Sequence, residues 1–187
     1  MADALVMVNG LPGSGKSTLA SPLAAALQAH LLSKDQVKEA LAGLIADPLV
    51  AAKALAGTAM DTAWRLAAAL PGTVVIESFW FEPRDLRFAE AGLRLVAVSS
   101  AVEVWCDVPA DIAKARYAAR DRSAMYEDAR HLVEDWPSWS IAARPLGLVP
   151  VVRVDTTRPV DHDQLAASVQ AALVERSSGA PRRPGSG

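Results

Sequence analysis

The sequence has 187 residues, of which 51% are hydrophobic and 21% are charged, and its formal net charge is −2. This length and composition predict one globular domain with a sizeable core, over residues 1–175, and the slightly acidic balance argues against a nucleic-acid partner. No apolar run approaches the length of a membrane-spanning helix, and the first residues lack the positive charge of a secretory signal. A single cysteine, Cys106, excludes an internal disulfide, so we expect a cytoplasmic protein.

The first informative stretch is GLPGSGKS at residues 10–17, which matches the phosphate-binding pattern G-x-x-x-x-G-K-[ST] at every required position. An apolar run precedes it and a helix-forming run follows, which is the strand, turn and helix order that phosphate binding needs. Backbone N–H groups would surround the phosphate oxygens, Lys16 would reach the β- and γ-phosphates, and the Ser17 hydroxyl would ligate Mg²⁺. The alternative is a glycine-rich turn before an ordinary helix. The predicted nucleotide contacts here are Gly10, Pro12, Gly13, Ser14, Gly15, Lys16, Ser17 and Thr18.

Strands and helices alternate along the rest of the chain. Short apolar runs predict strands at residues 5–8, 31–33, 73–76, 102–106 and 149–154. Apolar stripes at helical spacing predict helices at residues 15–28, 36–45, 48–70, 85–98, 110–120 and 164–175. This alternation predicts an α/β protein with the P-loop NTPase fold, in which helices cover both faces of a five-stranded parallel sheet.

Two segments do not follow this alternation. Residues 121–144 are polar and aromatic with poor periodicity, and they predict a mobile, arginine-bearing lid with one short helix near residues 127–133. Trp136 and Trp139 would close this lid onto the body. Residues 176–187 are rich in Ser, Gly, Pro and Arg, a composition that predicts a disordered tail.

Acidic residues follow four of the predicted strands, where ligands bind in an open parallel sheet, and those after the second and third strands are the main candidates. Asp35 follows the second strand and can meet the γ-phosphate from the acceptor side, orienting a hydroxyl group and accepting its proton. The alternative is that Asp35 is a helix N-cap. Glu77 ends the third strand, where P-loop proteins place an acidic residue near Mg²⁺. The alternatives for Glu77 are contact with the acceptor, a role as an auxiliary base, and simple exposure at the strand end.

Aromatic and basic residues supply the remaining candidates. Trp80 and Arg84 lie in an aromatic cluster just after Glu77 and are predicted substrate contacts, with a core position as the alternative. Arg120 ends a predicted helix and Arg122 begins the lid. Both would stabilise charge on the transferred group, and a solvated helix face paired with carboxylates is the alternative.

Together these motifs resemble the small P-loop kinases of the AAA-domain and zeta-toxin-like group, whose relatives include chloramphenicol phosphotransferase and the kinase domain of polynucleotide kinase. The matching stretches are GLPGSGKSTLA at 10–20, SKDQVKEAL at 33–41, VVIES at 74–78, VEVWCDVPADIAKARYAAR at 102–120 and VVRVDTTRP at 151–159. The resemblance implies that Asp35 is the base and that Arg120 and Arg122 are lid arginines. It also implies that adenine lies near residues 155–158, which include Thr156.

The sequence and this resemblance predict an ATP-dependent phosphotransferase. It would use Mg²⁺ and move the γ-phosphate to a hydroxyl group of a small molecule, such as a sugar, a nucleoside or an antibiotic-like compound. The alternatives are a polynucleotide 5′-hydroxyl kinase and a nucleotide-dependent regulatory ATPase. The choice of ATP over GTP rests on the resemblance alone.

Overall fold

The computed structural model describes residues 2–45 and 48–178. Its strands are β1 Ala2–Asn9, β2 His30–Ser33, β3 Gly72–Glu77, β4 Ser100–Asp107 and β5 Val151–Asp155. Its helices are α1 Lys16–Ala26, α2 Lys34–Ala42, α3 Pro48–Ala69, α4 Glu82–Val96, α5 Ala110–Ala118, α6 Asp128–Glu134, α7 Trp136–Ala142 and α8 His162–Ser178, with a short 3-10 helix at Ala124–Tyr126. The strands form one parallel sheet in the order β2-β3-β1-β4-β5.

Both faces of this sheet are buried, as the central strand β1 shows. Leu5 and Met7 point to one side and belong to the core beneath α3 and α4. Val6 and Val8 point to the other side and belong to the core beneath α1 and α8. The pleat of a strand separates alternate side chains in this way, and burial on both faces requires the unbroken apolar run seen in the sequence. The predicted parallel sheet with helices on both faces is therefore confirmed.

The lid differs from its prediction. Residues 121–144 contain the 3-10 helix, α6 and α7, whereas the sequence predicted one short helix near residues 127–133. Helix α7 was missed because Pro137 looks like a helix breaker. Pro137 lies in the first turn of α7, where its missing N–H group would have no partner within the helix.

Aromatic contacts attach this lid to the body. Trp136 and Trp139 are buried together with Tyr117 of α5 and Phe81. The rings of Tyr117 and Trp136 stack with centroids 5.9 Å apart, and Phe79 meets the Trp139 ring edge-on at 5.1 Å. The lid therefore packs on the loop that follows β3, as predicted for the two tryptophans.

The C-terminal end of the chain also differs slightly. Helix α8 continues past residue 175 to Ser178, and the rest of the predicted disordered tail, residues 179–187, lies outside the described residues. That residues 1–175 form a single domain stays a prediction. None of the helices within residues 2–45 and 48–178 combines the length and the apolar composition that a membrane span requires.

A buried carboxylate connects the middle of the sheet to the chain before β5. Glu103 of β4 is fully buried, and its Oε1 accepts hydrogen bonds from Asn9 Nδ2 at 2.8 Å and from the Leu146 backbone N–H at 3.0 Å. Its Oε2 accepts from the Gly147 N–H at 3.2 Å. Three donors therefore satisfy one buried charge, as buried carboxylates require.

Asn9, the last residue of β1, extends this network to two loops. Its Oδ1 accepts hydrogen bonds from the Gly10 N–H at 2.7 Å and from the Trp80 N–H at 3.0 Å. Its Nδ2 also donates to the Trp80 carbonyl oxygen at 3.3 Å. Glu103 and Asn9 thus fix the start of the phosphate-binding stretch relative to the loop after β3.

We expect the substitution Glu103→Leu to lower the free energy of unfolding by about 3 kcal/mol, because three buried donors lose their acceptor at roughly 1 kcal/mol or more each. Urea unfolding followed by circular dichroism measures this loss. Glu90→Leu makes the same chemical change at a partly exposed position of α4 and should stay within about 0.5 kcal/mol of the wild type. Equal losses in the two variants would show that the Glu103 hydrogen bonds do not contribute measurably to the free energy of unfolding.

Candidate active site

The phosphate-binding stretch forms the loop between β1 and α1, at the carboxyl end of the central strand. Gly15 precedes the first residue of α1, so the helix N-terminus faces the loop. Lys16 is buried, and its Nζ donates hydrogen bonds at 2.9 Å to the carbonyl oxygens of Gly10 and Leu11. Burial lowers the pKa of the Lys16 ammonium group, and the nearby Glu77 carboxylate opposes this shift. A phosphate anion beside Nζ would favour the charged form further.

Gly13 stands at a position where the phosphate-binding pattern allows any residue, yet the structure requires glycine there. Its φ of +82° lies in the left-handed region, and a Cβ atom would collide with the carbonyl oxygen of Ala113 in α5. The loop is therefore pressed directly against the backbone of α5.

We expect Gly13→Ala to weaken ATP binding at least about tenfold and to lower the free energy of unfolding by about 1–3 kcal/mol, because the loop must move away from α5. ATP titration and urea unfolding measure the two effects. Gly72→Ala is the matched control, since Gly72 also has a positive φ, of +74°, but a Cβ there meets nothing within 4 Å. That control should lose stability and keep its ATP affinity. Unchanged ATP binding in Gly13→Ala would contradict the close packing.

Glu77 lies beside the loop at the end of β3. It is buried, its Oε1 accepts a hydrogen bond from Ser17 Oγ at 3.3 Å, and its Oε2 accepts one from Ser33 Oγ at 2.7 Å. Sequence reasoning missed Ser33, because a serine at a strand end carries no pattern of its own. Within the described ranges no cluster of three or more His, Cys, Asp or Glu side chains could hold a metal by itself. A hydroxyl and a carboxylate fit Mg²⁺, which binds through one or two protein oxygens and completes its shell with phosphates and water.

Asp35 lies in the first turn of α2, and the structure brings it to the lid arginine Arg122. Ser33, not Asp35, is the N-cap of α2, so the N-cap alternative for Asp35 is wrong. Asp35 Oδ2 accepts a hydrogen bond from Arg122 Nη1 at 3.0 Å. The same guanidinium donates to Asp128 of α6 at 2.7 and 2.9 Å and lies over the ring of Tyr126, 4.2 Å from its centroid.

These contacts favour the ionised form of Asp128, the carboxylate on the lid helix α6. Burial alone would raise the pKa of Asp128, but hydrogen bonds from Arg122 and from the Tyr117 hydroxyl hold it below its usual value. Burial and the hydrogen bond to Asp128 raise the pKa of the Tyr117 phenol, which therefore stays a donor. Arg122 is thus a cation shared between Asp35 and an ionised Asp128.

Two cavities meet at the phosphate-binding loop, one of about 660 Å³ and one of about 540 Å³. Arg120, which follows the end of α5, lies on the walls of both. The larger cavity is lined at this end by Pro12, Lys16, Ser17, Asp35, Glu77 and Arg122. The smaller cavity is lined by Gly13, Gly15, Thr18, Arg116 and Thr156, among others.

Hydrogen bonds of Thr156 connect three segments that line or adjoin the smaller cavity. Its Oγ1 donates a hydrogen bond to the Ser14 carbonyl oxygen at 2.7 Å, and its N–H donates to the Asp107 carbonyl oxygen at 3.0 Å. Arg116 Nη1 donates to the Thr156 carbonyl oxygen at 3.1 Å. The chain after β5 is thereby tied to the phosphate-binding loop.

The two predicted substrate contacts both line the larger cavity, in different ways. Trp80 is buried and packs against Trp64 of α3 with ring centroids 6.0 Å apart, so it belongs to the core and to the cavity wall. Arg84 forms a two-point ion pair with Asp85, with N–O distances of 2.7 Å, and this hydrogen bonding raises the pKa of Arg84. Trp64 was missed, because its place in an apolar helical stripe looks like ordinary core.

The loop, the parallel sheet and the lid define a P-loop nucleotide-binding protein. The chain belongs to the AAA domain family, which it matches over residues 5–135. This family and the fold confirm the resemblance to the small P-loop kinases. No curated protein matches the sequence significantly.

Solved structures share this fold at low sequence identity. A candidate kinase from Chloroflexus aurantiacus is 23% identical with a TM-score of 0.70, over 91% of this chain and 98% of the other. A sugar kinase from Janibacter is 16% identical with a TM-score of 0.53, over 95% and 98% of the two chains. The tunicamycin resistance protein of Deinococcus radiodurans is 16% identical with a TM-score of 0.53, over 89% and 93%. These likenesses show the fold.

Proposed function

We propose that this protein is an ATP-dependent kinase that transfers the γ-phosphoryl group to a hydroxyl group of a small molecule. The observation that supports this proposal is the meeting of two cavities at one phosphate-binding loop, with Arg120 on the walls of both. ATP in the smaller cavity would direct its γ-phosphate past Lys16 towards the larger cavity. An alcohol in the larger cavity would then lie between that phosphate and Asp35.

The side chains around this junction suit phosphoryl transfer, which depends mainly on positioning and charge stabilisation. Asp35 would orient the acceptor hydroxyl and take its proton as the oxygen attacks. Arg122, which donates a hydrogen bond to Asp35, would hold this carboxylate in place. Lys16 and Arg120 would stabilise negative charge on the transferred group.

The remaining contacts divide between donor and acceptor. The loop amides and Thr18 would bind the phosphates, and Thr156, which lines the smaller cavity, would lie near the adenine. Ser17 and Glu77 would hold Mg²⁺, which neutralises charge on the β- and γ-phosphate oxygens when it is bound. Trp80 and Arg84 would contact the acceptor. A small acceptor is also supported by the fold shared with a sugar kinase and with a tunicamycin resistance protein.

A coupled assay of ADP release over sugars, nucleosides, aminoglycosides, chloramphenicol and oligonucleotides tests this function. We expect one class of small alcohol to accelerate ADP release and to appear as a phosphate ester in mass spectrometry. Acceleration by oligonucleotides, with a steep dependence on salt, would replace the proposal by a polynucleotide kinase. Turnover that responds only to an added protein would replace it by a regulatory ATPase.

A further inference from the structure

We propose that the acceptor is an alcohol bearing an apolar ring, and that this ring binds between α3 and α4 at the far end of the larger cavity. This inference rests on the proposed function, because it names the acceptor class of the same site. The cavity volume of about 660 Å³ lies within the range of about 300–1,000 Å³ that is typical of pockets enclosing drug-sized ligands. The site therefore has room for more than the phosphorylated group itself.

Helix α3 contributes a row of residues to this far end. Gly57, Met60 and Trp64 follow one another at a spacing of three and four, which places them on one face of the helix, and all three line the cavity. Gly57 leaves a gap in this row, since a Cβ atom built there meets nothing within 4 Å. The α3 wall thus combines the apolar surfaces of Met60 and Trp64 with the charged side chains of Asp61 and Arg65, and it has open space beside residue 57.

Helix α4 contributes a matching row on the opposite side. Phe88, Gly92 and Leu95 also follow one another at a spacing of four and three, and they line the same cavity. Phe88 is 54% exposed and Leu95 is 49% exposed, although both are large apolar side chains. A Cβ atom at Gly92 would collide with the ring of Trp64, so glycine lets the indole lie directly against α4. Exposed apolar side chains that face a cavity are typical of a ligand-binding surface.

Two buried indole groups form part of this wall. Trp64 and Trp80 are 3% and 2% exposed, and both rings line the larger cavity. Their Nε1–H groups are covered and have no hydrogen-bond acceptor in the described part of the chain, so a ligand would contact the ring surfaces and not these N–H groups.

Two parts of the cavity wall therefore differ in chemistry. Asp35, Lys16 and Arg122 form a charged part. The rows on α3 and α4 form a largely apolar part, to which α3 also contributes Asp61 and Arg65. An acceptor with hydroxyl groups on every side would lose water where it meets Met60, Phe88 and Leu95, which offer no comparable hydrogen bonds in return. An alcohol whose polar part faces Asp35 and whose ring faces Met60 matches both parts.

Matched acceptors test this class by their KM in the ADP-release assay. The pairs are methyl glucoside with phenyl glucoside, and glycerol with phenylethanediol. We expect the phenyl member of each pair to have a KM at least about tenfold lower, because its ring fills the largely apolar part. Equal or better turnover of glycerol and methyl glucoside would overturn the inference.

Variants of Gly57 locate the ring. Gly57→Leu adds a side chain into the open space and should raise the KM for the phenyl alcohols at least about tenfold, with a smaller rise for Gly57→Ala. Ala69→Leu adds a comparable group at an exposed position of the same helix, outside both cavities, and should leave both KM values unchanged. The conservative Gly57→Ala keeps the test valid if the leucine variant fails to fold, because alanine favours the helix.

A binding measurement separates failure of this inference from failure of the proposed function. Naphthyl glucoside is titrated without ATP, and quenching of tryptophan fluorescence reports binding near Trp64 and Trp80. We expect binding to the wild type and to Ala69→Leu, and at least about tenfold weaker binding to Gly57→Leu. If this pattern holds while no alcohol is phosphorylated, the apolar site stands and the kinase proposal fails. Binding that is absent from the wild type, or equal in Gly57→Leu, overturns the apolar site.

Discussion

Replacing Asp35 by asparagine is expected to lower kcat for phosphoryl transfer by about 100- to 10,000-fold, since a positioned general base contributes on that scale. The amide has the size of the carboxylate and can still accept a hydrogen bond from Arg122, but it cannot take a proton. Asp35 lines the larger cavity and not the smaller one, so the affinity for ATP should change little. Steady-state kinetics on the acceptor found in the ADP-release assay, together with ATP titration, measure both quantities.

Asp128→Asn is the matched control for this experiment. Like Asp35, Asp128 accepts a hydrogen bond from Arg122, but it lies on the lid helix α6. The amide keeps one acceptor oxygen for Arg122 but removes the negative charge, and the base at Asp35 remains, so the fall in kcat should be much smaller. Turnover close to the wild type in Asp35→Asn would remove Asp35 from the role of base.

The second large effect is expected from Arg120→Ala, which should lower kcat by roughly 1,000-fold, as for other arginines that stabilise a phosphoryl group in transfer. Arg120 reaches both cavities from the end of α5, so under the proposed function its side chain would lie between donor and acceptor. Because this contact forms mainly in the transition state, the loss should fall on kcat rather than on the KM for ATP.

Arg116→Ala removes the arginine one turn earlier on the same helix. Arg116 lines only the smaller cavity and donates to the Thr156 carbonyl oxygen, so we expect a higher KM for ATP and a kcat near the wild-type value. The same kinetic profile in both variants would show that Arg120 binds the nucleotide and does not stabilise the transferred group.

Much of the fold could be predicted from the sequence, because strands buried on both faces must be apolar throughout and leave short continuous runs. The lid could not be predicted to the same degree. Its helices α6 and α7 are held by ring contacts such as Phe79 with Trp139, which join segments far apart in the chain and leave no periodicity.

The candidate site also contains residues that the sequence could predict and contacts that it could not. Lys16, Ser17 and Asp35 could be predicted as candidates because they follow strands in the order that phosphate chemistry requires. The pairing of Asp35 with Arg122 spans 87 positions and has no signature in the sequence. Glu103 was missed because a charged residue within a strand looks like any outward-facing side chain until the network around Asn9 is seen.

Apart from Arg120, the residues that line the two cavities are different. Beyond the shared loop and Arg120, the smaller cavity is built from α5 and from residues 156–162, whereas the far end of the larger one is built from α3 and α4. Substitutions along α3 and α4 can therefore accumulate without altering the walls of the smaller cavity, where we propose that ATP binds. An ancestral gene with this architecture could acquire new alcohol substrates by changes in two helices, while its donor chemistry stayed constant.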